Sequence, residues 1–316
     1  MILYTQAPKD TLHDAIKVIN DDLNRIHNWS TSHGLSVNPG KTQAIIIGSS
    51  RTMSQIDFEL LPDVMFHNSY IPISDQVKNL GVIIDKELCW RPHITELSRK
   101  IFASYASLRR LKKFLPTATK ISLVQAIILP ILDYADACYL NITQEQLIKL
   151  ERLQNVCIRF IFGLKKYDHI SEYRKKLKWL PISLRRNAHL LNLLYRTLFI
   201  PYTPPYLKEC FNFLHTSHTF DLRSSNNLLL KAPAHSSTFY SKSFAVQAVC
   251  LWNSLPVDVR KAKSLAIFKK SGLDRRSRKY VTNFDGACFR HSSASCCAAA
   301  VPAERHSIGS PAQGRK

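Results

Sequence analysis

The chain has 316 residues, of which 45% are hydrophobic, so it can build a real core and wholesale disorder is excluded. Its 44 Lys and Arg residues against 23 Asp and Glu residues give a formal net charge of +21 at pH 7. So large a basic excess favours a polyanionic partner, either nucleic acid or an acidic membrane face.

The sequence predicts a protein of a reducing compartment. Five cysteines are isolated and lie mostly within apolar stretches, where a reduced cysteine behaves as a small hydrophobe: Cys89, Cys138, Cys157, Cys210 and Cys250. No signal peptide opens the chain, and the longest apolar run, 121–132, is broken by Gln125 and Pro130 and is too short to span a bilayer. We therefore expect a soluble protein of the cytoplasm and/or nucleus, not secreted and with no membrane partner.

The first 90 residues combine one helix with several strands. Apolar residues recur at steps of three and four over 11–33, which predicts an amphipathic helix that ends at Gly34. A hairpin is predicted over 35–47, turning at Asn38-Pro39-Gly40 and pairing with a strand at 2–5. Two further strands are predicted at 71–73 and 77–84, with Gly81 as a bulge or a site of close approach.

Beyond residue 90 the pattern becomes helical, and Pro92 suits the first turn of a helix. Helices are predicted at 92–116, 120–139, 144–162, 184–199 and 264–272. A proline-rich linker at 201–205 precedes a polar, irregular stretch at 215–243, and the small-residue tail from 281 is predicted to be disordered. The predicted fold class is α+β, mostly α: a small antiparallel sheet with one helix, then a helical region and a partly irregular C-terminal region.

Basic residues are clustered rather than mixed with acids. Between Ser98 and Leu132 there are seven basic residues and no acid: Arg99, Lys100, Arg109, Arg110, Lys112, Lys113 and Lys120. The stretches 159–186 and 260–279 are also strongly basic, and the first of them is interleaved with aromatic residues. A solvated face usually carries both signs, so these stretches favour contact with a phosphate backbone through salt-sensitive binding that does not depend on base sequence. The aromatic residues among them are interpreted as core residues.

Acids, cysteines and histidines give no metal site. Asp21-Asp22 is interpreted as part of a solvated helix face, and Tyr134-Ala135-Asp136-Ala137 imitates a polymerase tetrapeptide but has alanine in place of its second aspartate. Cys288 and His291 with Cys296-Cys297 have the ligand types of a zinc site but not its spacing. We therefore predict no metal ligands in this chain.

Several motifs, in this order and spacing, resemble the reverse transcriptases of non-LTR retrotransposons of the LINE or jockey-like group. They are the segment 34–43 with its Asn-Pro-Gly-Lys-Thr turn, the segment 75–85, the Trp-Arg-Pro entry at 90–92, the stretches 128–134 and 150–155, and Leu-Trp-Asn-Ser-Leu-Pro at 251–256. The resemblance covers roughly residues 1–280. It implies a palm remnant at 1–90, a helical thumb at 91–200, a C-terminal extension at 201–280 and a disordered tail at 281–316.

The resemblance also assigns roles to residues. Lys41 matches the lysine that lies near the triphosphate in the family, where an ammonium group neutralises or protonates departing pyrophosphate. The stretch Lys78-Asn79-Leu80-Gly81 is similar to the primer grip, which places the primer end against the palm. The alternatives are an exposed turn lysine and an ordinary edge strand. The family's paired catalytic aspartates, which bind Mg²⁺ in the intact enzyme, would precede Met1, so this fragment is expected to hold no cofactor.

These features predict a truncated RNA-directed DNA polymerase of a non-LTR retrotransposon that is inactive alone and retains nonspecific binding of RNA or an RNA–DNA duplex. No small-molecule substrate is expected for the fragment. The alternative is a basic helical interaction or scaffold protein without a nucleic-acid role. A third possibility is a fragment that folds poorly, because a severed sheet exposes its edges.

Overall fold

The computed structural model describes residues 2–214, 227–235, 237 and 239–272, which form two compact units. The N-terminal unit comprises 1–135 and 141–173, and the C-terminal unit comprises 136–140 and the chain from 174 onward. The fold is mostly helical with two small antiparallel sheets, which confirms the predicted α+β, mostly α class. The tail predicted at 281–316 and part of the irregular stretch at 215–243 lie outside the described residues.

The N-terminal unit begins with helix α1, Leu12–Ser32, close to the predicted bounds. Gly34 has a φ of +68°, and the helix ends as its N–H donates to the carbonyl of Thr31 while the N–H of Leu35 donates to that of Ser30. Thr11 is the N-cap residue, but no side chain caps this end of the helix. The second helix, α2, is a single turn at Ser50–Met53.

Two hairpins follow, each a separate two-stranded sheet. Strands β1, Val64–Phe66, and β2, Ser69–Ile71, pair in one hairpin; β3, Gln76–Asn79, and β4, Val82–Asp85, pair in the other. The expectation of a single strand over 77–84 is therefore wrong, because the chain reverses at Leu80-Gly81. Gly81 sits at this turn, close to the ring of Tyr134, so close approach rather than a bulge explains it.

The predicted hairpin over 35–47 does not form, and residues 2–5 contain no strand. Instead, Pro39–Lys41 forms a single 3₁₀ turn, and Ala44 makes an isolated parallel bridge to Ile73. Tight two-residue hairpins need positive φ in their loop, whereas proline is fixed near −65°. The Asn38 side chain also accepts a hydrogen bond from the N–H of Gly40 at 2.9 Å, which favours the 3₁₀ turn.

Helix α1 packs against the β1–β2 hairpin, and the core between them contains Ile16, Leu23, Val64, Phe66 and Ile71. One polar contact fixes the alignment of helix and strand. The Asn20 amide donates to the carbonyl of Asp63 at 2.9 Å and accepts from the N–H of Met65 at 3.0 Å.

The remaining helices of this unit are α3, Arg91–Arg110; α4, Thr117–Leu123; α5, Leu129–Asp133; α6, Gln144–Phe162; and α7, Ser171–Leu177, at the boundary with the C-terminal unit. Helix α6 has the predicted bounds. Thr143 and Gln146 form a reciprocal capping box at its start, and Gly163, with a φ of +72°, ends it.

A π-helical segment, Val124–Ile128, joins α4 to α5, so a helix runs without interruption from 117 to 133, within and just before the range predicted at 120–139. Proline has no N–H to donate, and the extra residue in the turn before Pro130 accommodates this missing donor. Contrary to expectation, the segment Thr117–Cys138 is long and apolar enough, by length and composition, to cross a membrane. Only 28% of the most apolar part of this segment is buried. Core helices of soluble proteins have the same length and composition, so this one segment among the described helices does not establish a membrane-spanning helix.

The C-terminal unit contains α8, Ile182–Phe199; α9, Pro205–Lys208; α10, Phe244–Ser254; α11, Val257–Arg260; and α12, Leu265–Gly272. Its core surrounds Trp252, which is fully buried and donates its indole N–H to the carbonyl of Leu228 at 2.8 Å. The Asn253 side chain pairs with both backbone groups of Leu230, at 2.9 Å each. These contacts explain the Trp-Asn pair at 252–253 as a structural motif of this unit.

Candidate nucleic-acid interface

The predicted primer-grip stretch forms the tip of the β3–β4 hairpin. Asn79 pairs with Val82, which leaves a two-residue loop of Leu80 and Gly81 with φ values of +45° and +88°. Positive φ at both positions is the pattern of a type I′ turn, which asparagine or glycine adopts far more easily than leucine. The Leu80 side chain is 82% exposed, and Lys78 is exposed on the preceding strand.

The segment that carries Lys41 runs beside this hairpin. Lys41 ends the 3₁₀ turn and is exposed. Two residues later, the Gln43 side chain accepts a hydrogen bond from the N–H of Lys78 at 3.2 Å, and the carbonyl of Ala44 accepts from the N–H of Ser74 at 2.9 Å. The structure thus brings together the two stretches to which the resemblance assigned a role in holding substrate.

Asp85 joins the hairpin to the start of helix α3. Its carboxylate is buried and accepts hydrogen bonds from the N–H groups of Cys89 and Trp90, at 2.9 Å each. Burial alone would raise the pKa of Asp85, but these backbone hydrogen bonds outweigh it and leave the pKa below its ordinary value. Trp90 precedes the helix with a φ of +62°, so the carboxylate stabilises an otherwise unfavourable backbone conformation.

Sequence reasoning did not single out Asp85 as a site residue. Its signal was an acid at the end of a predicted strand, a few residues before a helix that begins with proline. Two further hydrogen bonds connect the hairpin and the start of α3 to neighbouring elements. The His93 Nδ1 accepts from the N–H of Ile83 at 3.3 Å, and the Gln146 amide donates to the carbonyl of Cys89 at 2.9 Å.

Two of the seven predicted basic contact residues are compensated by an acid. Arg99 donates to both oxygens of Glu96, at 2.7 and 2.8 Å, and the Lys100 ammonium lies 3.9 Å from the same carboxylate. The hydrogen bond from Arg99 lowers the pKa of Glu96. Glu96 lies two residues before the acid-free stretch, so a count along the sequence missed a partner that one helical turn brings into contact.

The other basic residues of this stretch remain exposed or half-buried. Arg109 and Arg110 occupy the last turn of α3, Lys112 and Lys113 lie in the following turn rather than on a helix, and Lys120 is half-buried in α4. Across the described ranges, no acid forms an ion pair with these residues. Phe114, in the same turn, is 82% exposed. We call Arg109, Arg110, Lys112, Lys113 and Phe114 the α3 turn.

Several cations of the second and third basic stretches, 159–186 and 260–279, form hydrogen bonds within the fold. Arg159 donates to the carbonyls of Lys165 and Asp168. Arg186 is buried, stacks on the Tyr139 ring at 4.6 Å and donates to the carbonyls of Asp136 and Tyr139.

Arg260 is likewise buried. It donates to the carbonyls of Asn227, Asn253 and Leu255, and burial lowers its pKa. The aromatic residues divide as well: Phe160 and Trp179 are buried, as predicted, whereas Tyr167 is 85% exposed.

The acids that sequence reasoning considered as metal ligands, and the acid next to the hairpin, each contact other groups of the chain. Both oxygens of Asp85 accept backbone N–H groups. Asp22 pairs with Arg25 at 3.0 Å on an exposed helix face. Asp136, from the tetrapeptide that imitates a polymerase motif, is buried and lies 2.6 Å from the Nδ1 of His189.

Two curated proteins are similar to this chain. A probable RNA-directed DNA polymerase from the transposon X-element of Drosophila melanogaster is 21% identical over 180 residues, covering 56% of this chain and 19% of that protein. The RNA-directed DNA polymerase from the mobile element jockey of Drosophila funebris is 24% identical over 168 residues, covering 52% of this chain and 18% of that protein. Over about half of its length, the chain is therefore similar, at low identity, to RNA-directed DNA polymerases of jockey-like mobile elements.

This similarity agrees with the resemblance that the sequence motifs indicated. The matched part of the chain spans less than a fifth of the length of either relative. No family model matches the chain, and no solved structure matches it either. The roles of Lys41, of the β3–β4 hairpin and of the α3 turn therefore stay predictions.

Proposed function

We propose that this chain holds RNA or an RNA–DNA duplex for a reverse transcriptase, through the α3 turn and the β3–β4 hairpin. The observation that carries the proposal is the α3 turn, where four exposed or half-buried cations, unpaired with any acid of the described residues, lie within five positions of the exposed Phe114. Phosphate groups would contact the cations, and a ring exposed to this extent can stack on a base. The hairpin adds Lys78 and an exposed apolar tip.

Each region of the chain then corresponds to one part of such a reverse transcriptase. Residues 1–90 are the end of a palm, 91–200 a thumb and 201–280 a C-terminal extension. Lys41 would contact the triphosphate or the leaving pyrophosphate when a complete palm is present. The family's Asp-Asp tetrapeptide does not occur in this sequence, so the chain by itself is expected to bind a primed template without extending it. We place the protein in the cytoplasm or nucleus, where RNA templates are found.

The binding test compares a fourfold neutralised variant with a charge-matched control. In the test variant, Arg109, Arg110, Lys112 and Lys113 become Gln. In the control, four exposed cations outside the proposed surface become Gln: Lys9, Arg51, Lys149 and Arg152. Both variants lose the same net charge, so a difference between them reports position rather than total charge.

Affinity for a fluorescent RNA–DNA duplex is measured by anisotropy between 50 and 200 mM salt, roughly the range over which phosphate contacts weaken steeply. The test variant should bind more weakly and lose about 3 to 4 from the slope of log affinity against log salt, since each phosphate contact contributes about 0.9. The control should keep most of the slope. Equal losses in the two variants would contradict the assignment to the α3 turn, and an affinity independent of salt in the unmodified chain would favour a scaffold protein instead.

A further inference from the structure

The loop of the β3–β4 hairpin contains a residue that does not suit its conformation. Leu80 has a φ of +45°, a region that leucine rarely adopts because its Cβ crowds the backbone. Its side chain is 82% exposed, so burial of the leucine in a core does not compensate for the strain. Residues strained in this way persist only when their surroundings hold them, and they concentrate at functional sites.

Tyr134 supplies the contact that holds this loop. Its hydroxyl donates a hydrogen bond to the carbonyl of Leu80 at 2.5 Å, across 54 residues of sequence. A Cβ atom added to Gly81 would lie 3.4 Å from Cε1 of the same ring, so the ring packs against the loop backbone. Both residues of the loop are thus contacted by one side chain, which follows directly after helix α5.

We propose that Tyr134 is a positioning residue that fixes the hairpin tip and so presents the Leu80 side chain to the bound nucleic acid. This inference rests on the proposed function, because it assigns the hairpin tip to the surface that contacts the duplex. An apolar side chain at this point would pack against the sugar of a nucleic-acid strand while a phosphate of the same strand contacts Lys78. Lys78, on the adjacent strand, is available for the phosphate side of that contact.

The test uses Tyr134→Phe, which removes the hydroxyl and keeps the ring, in the full chain. Tyr70→Phe is the matched control, since Tyr70 is an exposed tyrosine on the other hairpin. Two quantities are measured: amide hydrogen exchange of residues 76–85, and affinity for the RNA–DNA duplex as a function of salt. Tyr134→Phe should speed exchange in the hairpin and weaken binding about threefold to tenfold, the effect of one lost neutral hydrogen bond. The salt slope should not change, because no cation is removed.

Leu80→Asn provides a second test, whose result differs between a positioning role of Tyr134 and a purely structural contact. Asn-Gly is the favoured sequence for a type I′ turn, so the loop would keep its conformation without the hydrogen bond from Tyr134. The variant also lacks the leucine side chain that Tyr134 is proposed to position. In this background, Tyr134→Phe should change neither exchange nor affinity. Leu80→Asn alone should slow hairpin exchange yet weaken duplex binding.

Each negative result has a distinct meaning. Unchanged exchange in Tyr134→Phe would overturn the claim that Tyr134 holds the tip. Faster exchange with unchanged affinity would show that the contact is structural only, which overturns the positioning role. If the unmodified chain binds no duplex at any salt concentration, the proposed function fails and the positioning role fails with it, whereas the exchange result still decides whether the contact holds the loop.

Discussion

The β1–β2 and β3–β4 hairpins each turn through a two-residue loop whose first residue, His67 or Leu80, has a positive φ. In each, a ring from elsewhere in the N-terminal unit contacts the loop. The ring of His27 in α1 stacks on that of His67 at 4.2 Å, and the Tyr134 hydroxyl donates a hydrogen bond to the Leu80 carbonyl. Their strands differ. Val64, Phe66 and Ile71 of the first hairpin are buried against α1, whereas β3 alternates between exposed and half-buried residues.

The difference shows how similar hairpins serve different purposes. The first is stabilised by apolar burial and contributes to the core. The second buries Val82 as well but has polar contacts at both ends, from Asp85 at the helix junction and from Tyr134 at its exposed tip. The following predictions, from the largest effect to the smallest, test whether the two hairpins are stabilised in these different ways.

The largest effect is expected from Phe66→Ala in the first hairpin. Phe66 is only 3% exposed, and removing a buried phenylalanine side chain costs about 3–5 kcal/mol. Urea unfolding monitored by circular dichroism measures this loss. Tyr70→Ala, on the exposed side of the same hairpin, serves as the control and should cost far less. A small effect of Phe66→Ala would mean that the first hairpin does not depend on core burial.

Asp85→Asn should destabilise the second hairpin and its junction with α3 by about 2–3 kcal/mol, because it weakens two hydrogen bonds to a charged acceptor. The folded pKa of Asp85 lies below its ordinary value of 3.8, so its contribution is fully present above about pH 5 and is lost as the pH falls through the folded pKa. Urea unfolding at pH 7 and at successively lower pH measures both effects. The variant should lose this part of the acid sensitivity, and an unchanged pH profile would contradict the role of Asp85.

Gly81→Ala should cost about 1–2 kcal/mol, since its φ of +88° is unfavourable for alanine, and the new methyl group would lie against the Tyr134 ring, 3.4 Å from its Cε1. Gly34→Ala is the matched control. Gly34 also has a positive φ, of +68°, but nothing lies within 4 Å of an added Cβ. The difference between the two variants isolates the contact with Tyr134, and equal losses would show that this contact has no energetic weight.

The smallest effect, and the only gain, is expected from Leu80→Asn. Asparagine tolerates a positive φ better than leucine, so the free energy of unfolding should rise by about 0.5 kcal/mol. Thermal unfolding monitored by circular dichroism is sufficient to detect the sign. A loss of stability instead would mean that the exposed leucine makes a contact within the folded chain.

The sequence was sufficient where structure is local. The bounds of α6 follow from a capping box and a terminal glycine, and the stripe of apolar residues in α1 gives its buried face, so both helices were predicted closely. The strands were harder, because pairing depends on contacts across the chain. Proline in the Asn38-Pro39-Gly40 turn excluded the predicted hairpin, and the strand that resembled one continuous element turned at Leu80-Gly81.

The candidate site was predicted in its residue types but not in its partners. Exposed basic residues at the end of α3 were found from charge clustering alone. That Glu96 compensates Arg99, and that Arg186 and Arg260 are buried, depends on geometry that a charge count does not contain. The contact between Tyr134 and Leu80 spans 54 residues and carries no local pattern, so only the folded chain reveals it.

The π-helical segment Val124–Ile128 determines the direction in which the side chains after it project from the helix axis. One residue advances an α-helix by about 100°. Deleting a single residue from this segment would restore regular α-helical hydrogen bonding and turn the side chain of Tyr134 away from the hairpin by about that angle. The register between this helix and the distant β3–β4 loop is therefore set by one extra residue, which lies six or more positions before the tyrosine that makes the contact.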